Sequence, residues 1–234
     1  MDIAKSFSYV FEDEAWISKM LIGGLIFLIP VIGQITVAGY SYKVAQNVAR
    51  GVERPLPDWG EFGEALVRGF LGGLISLVYA LPAALISGIL VAVSVGTAAA
   101  ADRARSGAGV AFAGAILCLV PVIIVLSLIC AVAALAAVAR YLATDDIGQA
   151  FKFGEVFASL RSSIGAWVLL LVLTILAGFV GGLGLIACGL GVLFTSFYAQ
   201  CVIGHGLGQT IRQLGLGQPA APPAGYGPPP GYSA

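Results

Sequence analysis

Four long stretches of the chain carry no Asp, Glu, Lys or Arg: residues 20–42, 69–101, 106–139 and 162–211. Each exceeds the ~20 apolar residues needed to cross a ~30 Å hydrocarbon core. The intervals between them are too short to fold as soluble domains. The pattern predicts an all-α, polytopic helical membrane protein. Only DRAR separates the second and third runs, so membrane helices over 68–101 and 107–140 form an antiparallel hairpin. Both outrun the core at 1.5 Å per residue and must tilt, kink or protrude, with Pro82 and Pro121 as kink positions. The last run holds GFVGGLGLIACGLG near its middle and divides into helices over 162–183 and 185–211.

The polar intervals have patterns of their own. Residues 2–14 put Ile3, Phe7, Val10 and Phe11 on one helical face, the signature of a helix lying in the membrane interface. Residues 145–160 do the same with Ala150, Phe153, Phe157 and Leu160, and Asp145 or Asp146 can cap their start. Phe7, Val10 and Phe11 match Phe153, Val156 and Phe157 in spacing, and Trp16 and Trp167 follow. This reads as an internal repeat of an interfacial helix followed by membrane helices. Asp58 and Glu61 have capping-box spacing after Pro55 and Pro57. The membrane domain thus covers 1–216. Residues 217–234 form a Pro/Gly/Tyr-rich tail, expected to be disordered. Its Pro229-Pro230-Gly231-Tyr232 has the form of a ligand for aromatic-lined grooves, although a solvated spacer is the simpler reading.

The first run poses a question that charge answers. It either crosses once or dips in and turns back at Pro30–Gly33. Cytoplasmic loops carry the excess of Lys and Arg. A single crossing splits the cations eight to four between the two sides, whereas a re-entrant hairpin over 17–50 splits them ten to two. The second arrangement is favoured, and it leaves only Arg103 and Arg105 outside with both termini cytoplasmic. Behind Gly33, the stripe Ile35, Ala38, Tyr42, Ala45 and Ala49 opposes Lys43, Asn47 and Arg50, as in a helix climbing back to the surface. Asp2, Glu12, Asp13 and Glu14 do not fit a signal peptide, so the first run is expected to remain.

Composition sharpens the membrane reading and limits the chemistry. Hydrophobic residues make up 59% of the 234 and charged residues 10%, against about 25% charged in soluble domains. Twelve Lys and Arg balance twelve Asp and Glu, so no net field recruits nucleic acid. Cys118, Cys130, Cys188 and Cys201 lie in apolar runs without metal or redox spacing. No set of residues has the spacing of a nucleophile with its base, a metal site or a phosphate loop, so no catalytic, cofactor or metal residue is assigned. Gln34, Thr36, Thr195, Tyr198, Gln200 and His205 are the polar groups at depth. They could line a small cavity, but hydrogen bonds between helices explain them more simply. Small residues Ala84, Gly88, Ala92, Gly96 and Ala100 recur every fourth position and form a candidate helix-packing seam. Gly69/Gly73, Gly178/Gly182 and Gly204/Gly208 are GxxxG pairs of the same kind.

The order of the segments LIPVIGQITVAGY, RPLPDW, YALP, FKFGEVF and SFYAQCVIGHGLGQTIR resembles a prokaryotic family of multi-pass membrane proteins, domain of unknown function 4013. The resemblance implies a prokaryotic cytoplasmic membrane and brings no known activity or site. The sequence therefore points to a non-enzymatic membrane scaffold or accessory component. The alternative is a channel or carrier for a small neutral or lipid-like substrate without ion coupling. The expected partners are the lipid bilayer and other membrane proteins.

Overall fold

The computed structural model describes residues 1–103, 109–186 and 189–217. Nine α-helices run through them: α1 (Ile3–Ser8), α2 (Trp16–Phe27), α3 (Ile32–Ala49), α4 (Phe62–Arg103), α5 (Gly109–Thr144), α6 (Ile147–Ala150), α7 (Phe153–Ser162), α8 (Ile164–Leu183) and α9 (Gly191–Leu214). There is no strand among the described residues. Three helical stretches, Trp59–Thr97, Leu119–Thr144 and Ile164–Ile186, are long and apolar enough to cross a membrane. Their outward faces carry Leu77, Leu85, Ile89, Ile129, Val168 and Phe179, all exposed. So large an apolar surface suits a lipid surround.

The bundle is organised around α3, which packs on α4 along one side and on α9 along the other. Glycines set both contacts. A Cβ on Gly39 would overlap the Ala65 carbonyl oxygen, and one on Gly69 would overlap that of Ile35. These pairings make α3 and α4 antiparallel. On the other side Gly204 meets Ser41 and Gly208 meets Ala45, so α3 and α9 run parallel. The GxxxG pair in α9 therefore closes a true seam. The C-terminal half of α5 fills the middle, with Ala133, Ala136, Ala137 and Ala139 buried against Tyr79, Leu170, Leu173 and Val202.

α2 and α3 form a helical hairpin. Its tip is a γ-turn at Val31 (φ 63, ψ −63), closed by the Ile32 N–H donating to the Pro30 carbonyl at 2.7 Å. Gly33 abuts the Ile26 carbonyl, and Gly23 and Gly24 receive the rings of Phe197 and Phe194. The two feet of the hairpin meet. Lys19 Nζ donates to the Leu56 carbonyl at 3.0 Å and pairs with Asp58 at 3.1 Å, and Arg54 pairs with Glu14 at 2.9 Å. The Trp59 indole N–H donates to the Lys19 carbonyl at 3.1 Å. The chain leaves and returns at one end of the bundle.

Several expectations need correcting. Residues 2–14 do not form one free amphipathic helix: α1 and the 3-10 turn Tyr9–Glu12 dock on α9, burying Ser6, Tyr9 and Val10 while Phe11 points outward. The segment 145–160 breaks into α6 and α7, because the Tyr79 hydroxyl takes the Ala150 carbonyl at 2.6 Å. In the proposed repeat Val10 and Val156 are both fully buried, and Phe11 and Phe157 are both exposed. The capping box is not used: Asp58 pairs with Lys19 and Glu61 with Lys43. Asp146 does cap α6, accepting from the Gly148 N–H at 2.8 Å. The helix expected over 185–211 starts at Gly191 and ends at Leu214, and it is not one of the three long apolar stretches. The stripe Ala84, Gly88, Ala92 and Gly96 is exposed, with open space at Gly88 and Gly96, so it closes no seam among the described residues. Gly73, Gly178 and Gly182 also face open space. The Ala100 side chain, residues 104–108 with the expected hairpin connection, and the residues past Gly217 lie outside the described residues.

Candidate functional site

The polar chemistry of the molecule collects at the end where the hairpin feet meet. α1 lies against the C-terminal half of α9, held by a reciprocal pair in which the Asp2 N–H donates to Gln209 Oε1 at 2.6 Å and Gln209 Nε2 donates to the Asp2 carbonyl at 3.1 Å. The Tyr9 hydroxyl donates to the Cys201 carbonyl at 2.9 Å, and that of Tyr198 to the Phe7 carbonyl at 2.6 Å. His205 sits at the centre of this contact, 6% exposed and stacked on Tyr9 with ring centroids 4.2 Å apart. Its Nδ1 lies 3.0 Å from both Ser6 Oγ and Gln209 Nε2. Because Gln209 Oε1 is already accepting from Asp2, its amide nitrogen is the donor and Nδ1 the acceptor. That assignment places the ring proton on Nε2 of a neutral imidazole. His205, Gln209 and Arg212 from α9, Asp2 from the N terminus and Glu53 from the connector line an open cleft of about 810 Å³.

Beside the cleft runs a chain of ion pairs. Lys43, only 11% exposed in its side chain, pairs with Glu61 and with Glu64, the latter at 3.1 Å. Glu64 also holds Arg68 at 2.9 Å, and Arg68 reaches Asp145 at 2.6 Å. Asp145 accepts from Gln46 Nε2 at 2.9 Å and stands 3.6 Å from Arg50. It does so from a left-handed backbone (φ 53), a conformation Asp tolerates better than most residues. Burial pushes its carboxyl up, but the Arg68 and Gln46 hydrogen bonds and the two guanidinium charges outweigh this and hold it below the usual carboxylate range. A second group, Asp13, Lys19 and Asp58, fastens the hairpin feet. Arg140 and Lys152 share Glu155 where α5, α6 and α7 meet. These pairs hold connecting segments together, and Lys43, Glu61, Glu64 and Arg68 also line a second polar cleft of about 450 Å³.

The six polar residues picked from the sequence do not share a cavity. Gln34 is exposed; the Thr36 hydroxyl back-bonds to the Ile32 carbonyl at 2.8 Å. The Thr195 hydroxyl donates to the Gly181 carbonyl at 2.7 Å and ties α9 to α8. Tyr198 holds α1, and Gln200 lies elsewhere on α9, half-buried. Only His205 lines the polar cleft. Sequence reasoning missed Ser6, Tyr9 and Gln209, whose roles depend on α1 folding back across nearly the whole length of the chain. The signal that could have found them is the polar spacing His205–Gln209, one helical turn on a single face.

The DUF4013 family, described as a protein of unknown function, matches residues 22–190. No curated protein and no solved structure matches the chain. The matched span takes in α3 through α8 with the second half of α2, and so includes the Lys43–Asp145 ion pairs. α1, α9 and the His205 cluster fall outside it. Matched over well more than half of its length, the chain belongs to the DUF4013 family, a family of unknown function.

Proposed function

We propose that the protein is a non-enzymatic scaffold or accessory component of a prokaryotic cytoplasmic membrane, crossing the bilayer several times. In this reading the charged end faces the cytoplasm, together with both termini, and residues 102–107 lie outside. The α2–α3 hairpin is re-entrant: at 1.5 Å per residue the 12 residues of α2 extend ~18 Å, short of the ~30 Å core. α3 packs on α4 and α9, and at the exposed tip the N–H groups of Leu28, Ile29, Ile32 and Gly33 bond to carbonyls within the hairpin, which lowers the cost of a turn at membrane depth. The observation that carries the functional reading is the use made of the charges. Ionisable residues in membrane proteins ordinarily mark relays and ion pathways inside the spans. Here they sit at the span ends and brace connectors, in pairs such as Lys19–Asp58, Arg68–Asp145 and Arg140–Glu155.

One observation favours a second reading, a carrier for a small neutral or lipid-like molecule. A cleft of about 540 Å³ lies between α4, α5 and α8, lined by alanines with Ser76, Ser87, Ser127, Cys130 and Thr174. The two readings separate in reconstituted vesicles. The scaffold reading expects glycerol and urea permeation equal to that of protein-free vesicles, with no uptake driven by a proton gradient. Permeation that rises with protein and falls in Ser87→Leu would establish the carrier. Gradient-driven uptake lost in His205→Ala would overturn both.

A further inference from the structure

Ten Lys and Arg have described side chains, and eight of them stand within 3.6 Å of a carboxylate. Arg161 and Arg212 do not. Arg212 faces the polar cleft, where Asp2 and Glu53 also lie. Arg161 has no such company. The one acidic side chain not described, Asp102, belongs to the last turn of α4. Arg161 is exposed at the end of α7, just where the chain turns at Ser163 into the apolar α8. An unneutralised guanidinium therefore stands at the boundary between the polar end and a membrane-length helix.

Below it opens a groove of about 450 Å³ between α5, α7 and α8. Leu128 and Val132 form one wall, Ile164 and Val168 the other, and Phe157 closes the end beside Arg161. The floor is Trp167, whose indole N–H is already spent on the Ser159 carbonyl at 3.1 Å. The groove thus offers hydrocarbon contact along its length and one cation at its lip. Phe157, Ile164 and Val168 are 46%, 63% and 51% exposed, so no described part of the chain fills it.

We infer that this groove binds one anionic phospholipid, with its phosphate at Arg161 and an acyl chain lying between α5 and α8. Arginine suits the head because its planar fork matches phosphate oxygens and keeps its charge. The apolar walls suit the tail, and a free phosphate would leave them unused. Basic residues at the cytoplasmic ends of membrane helices meet the anionic lipids of that leaflet. The inference rests on α5 and α8 being membrane spans, as proposed above.

Native mass spectrometry of the protein released from nanodiscs of equimolar phosphatidylglycerol and phosphatidylcholine tests it. Wild type should retain one phosphatidylglycerol in preference to phosphatidylcholine. In Arg161→Gln that preference should fall roughly tenfold, the worth of one charge-assisted hydrogen bond. Arg161→Lys should keep most of it, and Arg212→Gln should match wild type. Val168→Trp, which fills the groove, should reduce retention of both lipids. Equal retention of the two lipids by wild type, an unchanged preference in Arg161→Gln, or displacement by soluble glycerol phosphate would overturn the site. Flotation with uncharged vesicles reports membrane insertion separately. Intact flotation without lipid preference would count against the groove alone, and loss of flotation against the membrane reading itself.

Discussion

Alanine at Gly39 should destabilise the protein by about 3 kcal/mol, the upper end of the usual cost of overpacking. The added methyl would overlap the Ala65 carbonyl, with the Gly69 N–H close behind. Those are backbone atoms, which cannot rotate aside as a side chain can. Gly69→Ala should behave alike, because its methyl meets the Ile35 carbonyl across the same contact. Relief would require α3 and α4 to separate, and α3 is held on its other flank by Gly204 and Gly208. The control is Gly88→Ala, which enters open space and gains up to ~1 kcal/mol of helix propensity. Thermal unfolding in detergent should therefore show a large loss for Gly39→Ala and none for Gly88→Ala. Equal effects would mean that the α3–α4 contact is not the close one described.

Asp13→Ala should cost about 2–3 kcal/mol. Asp13 and Lys19 have side chains 9% and 12% exposed and meet at 2.9 Å. Stranding one member of a buried pair costs ~3–5 kcal/mol, reduced here because Lys19 keeps Asp58 and the Leu56 carbonyl. The substitution also removes the acceptor for the Ala15 N–H at 2.8 Å, so the foot of α2 loosens as well. The same carboxylate predicts the acid response. Burial pushes the Asp13 carboxyl up, but hydrogen bonds from Lys19 and Ala15 overcome that and leave it below its usual range. Asp145 is lowered too. A depressed carboxylate stabilises the fold above its unfolded value of ~3.9 and loses that contribution as pH falls through the folded value. The melting temperature should therefore hold near pH 6 and drop below pH ~4. Asp13→Ala should flatten that drop, and an unchanged acid profile in the variant would refute its part.

How much of this was legible in the sequence depends on how local the cause is. Charge-free runs are local, so the helical class and the long apolar stretches of α4, α5 and α8 could be read directly. Counting cations also favoured a hairpin that returns to its starting side, and the contacts of Lys19 with Leu56 and Asp58 bring its feet together. Close packing was harder to read. A stripe of small residues shows which face can approach a neighbour, not whether a neighbour is there. Gly204 and Gly208 have α3 against them, whereas Gly88 and Gly96 have none of the described residues. Gly39 and Gly69 were not paired in the sequence because thirty residues and a reversal of direction separate them. The polar end failed for the same reason. Ser6 and Tyr9 look like the solvated side of an amphipathic helix until α9 arrives to accept them. Asp58 and Glu61 had capping spacing, yet Lys19 and Lys43 offered a full charge where the helix start offered only N–H groups.

The most direct test of the account is which side of the bilayer each foot of the hairpin faces. Single cysteines at Ser8, Glu53 and Ser162, in a background lacking the four native cysteines, mark the exposed charged end. A fourth at Ser106 tests the opposite side. A membrane-impermeant maleimide applied to sealed right-side-out and inverted vesicles should label the first three together in inverted vesicles only, and Ser106 in right-side-out vesicles only. Labelling of Ser8 and Glu53 from opposite sides would make the first apolar run a single crossing and contradict the account.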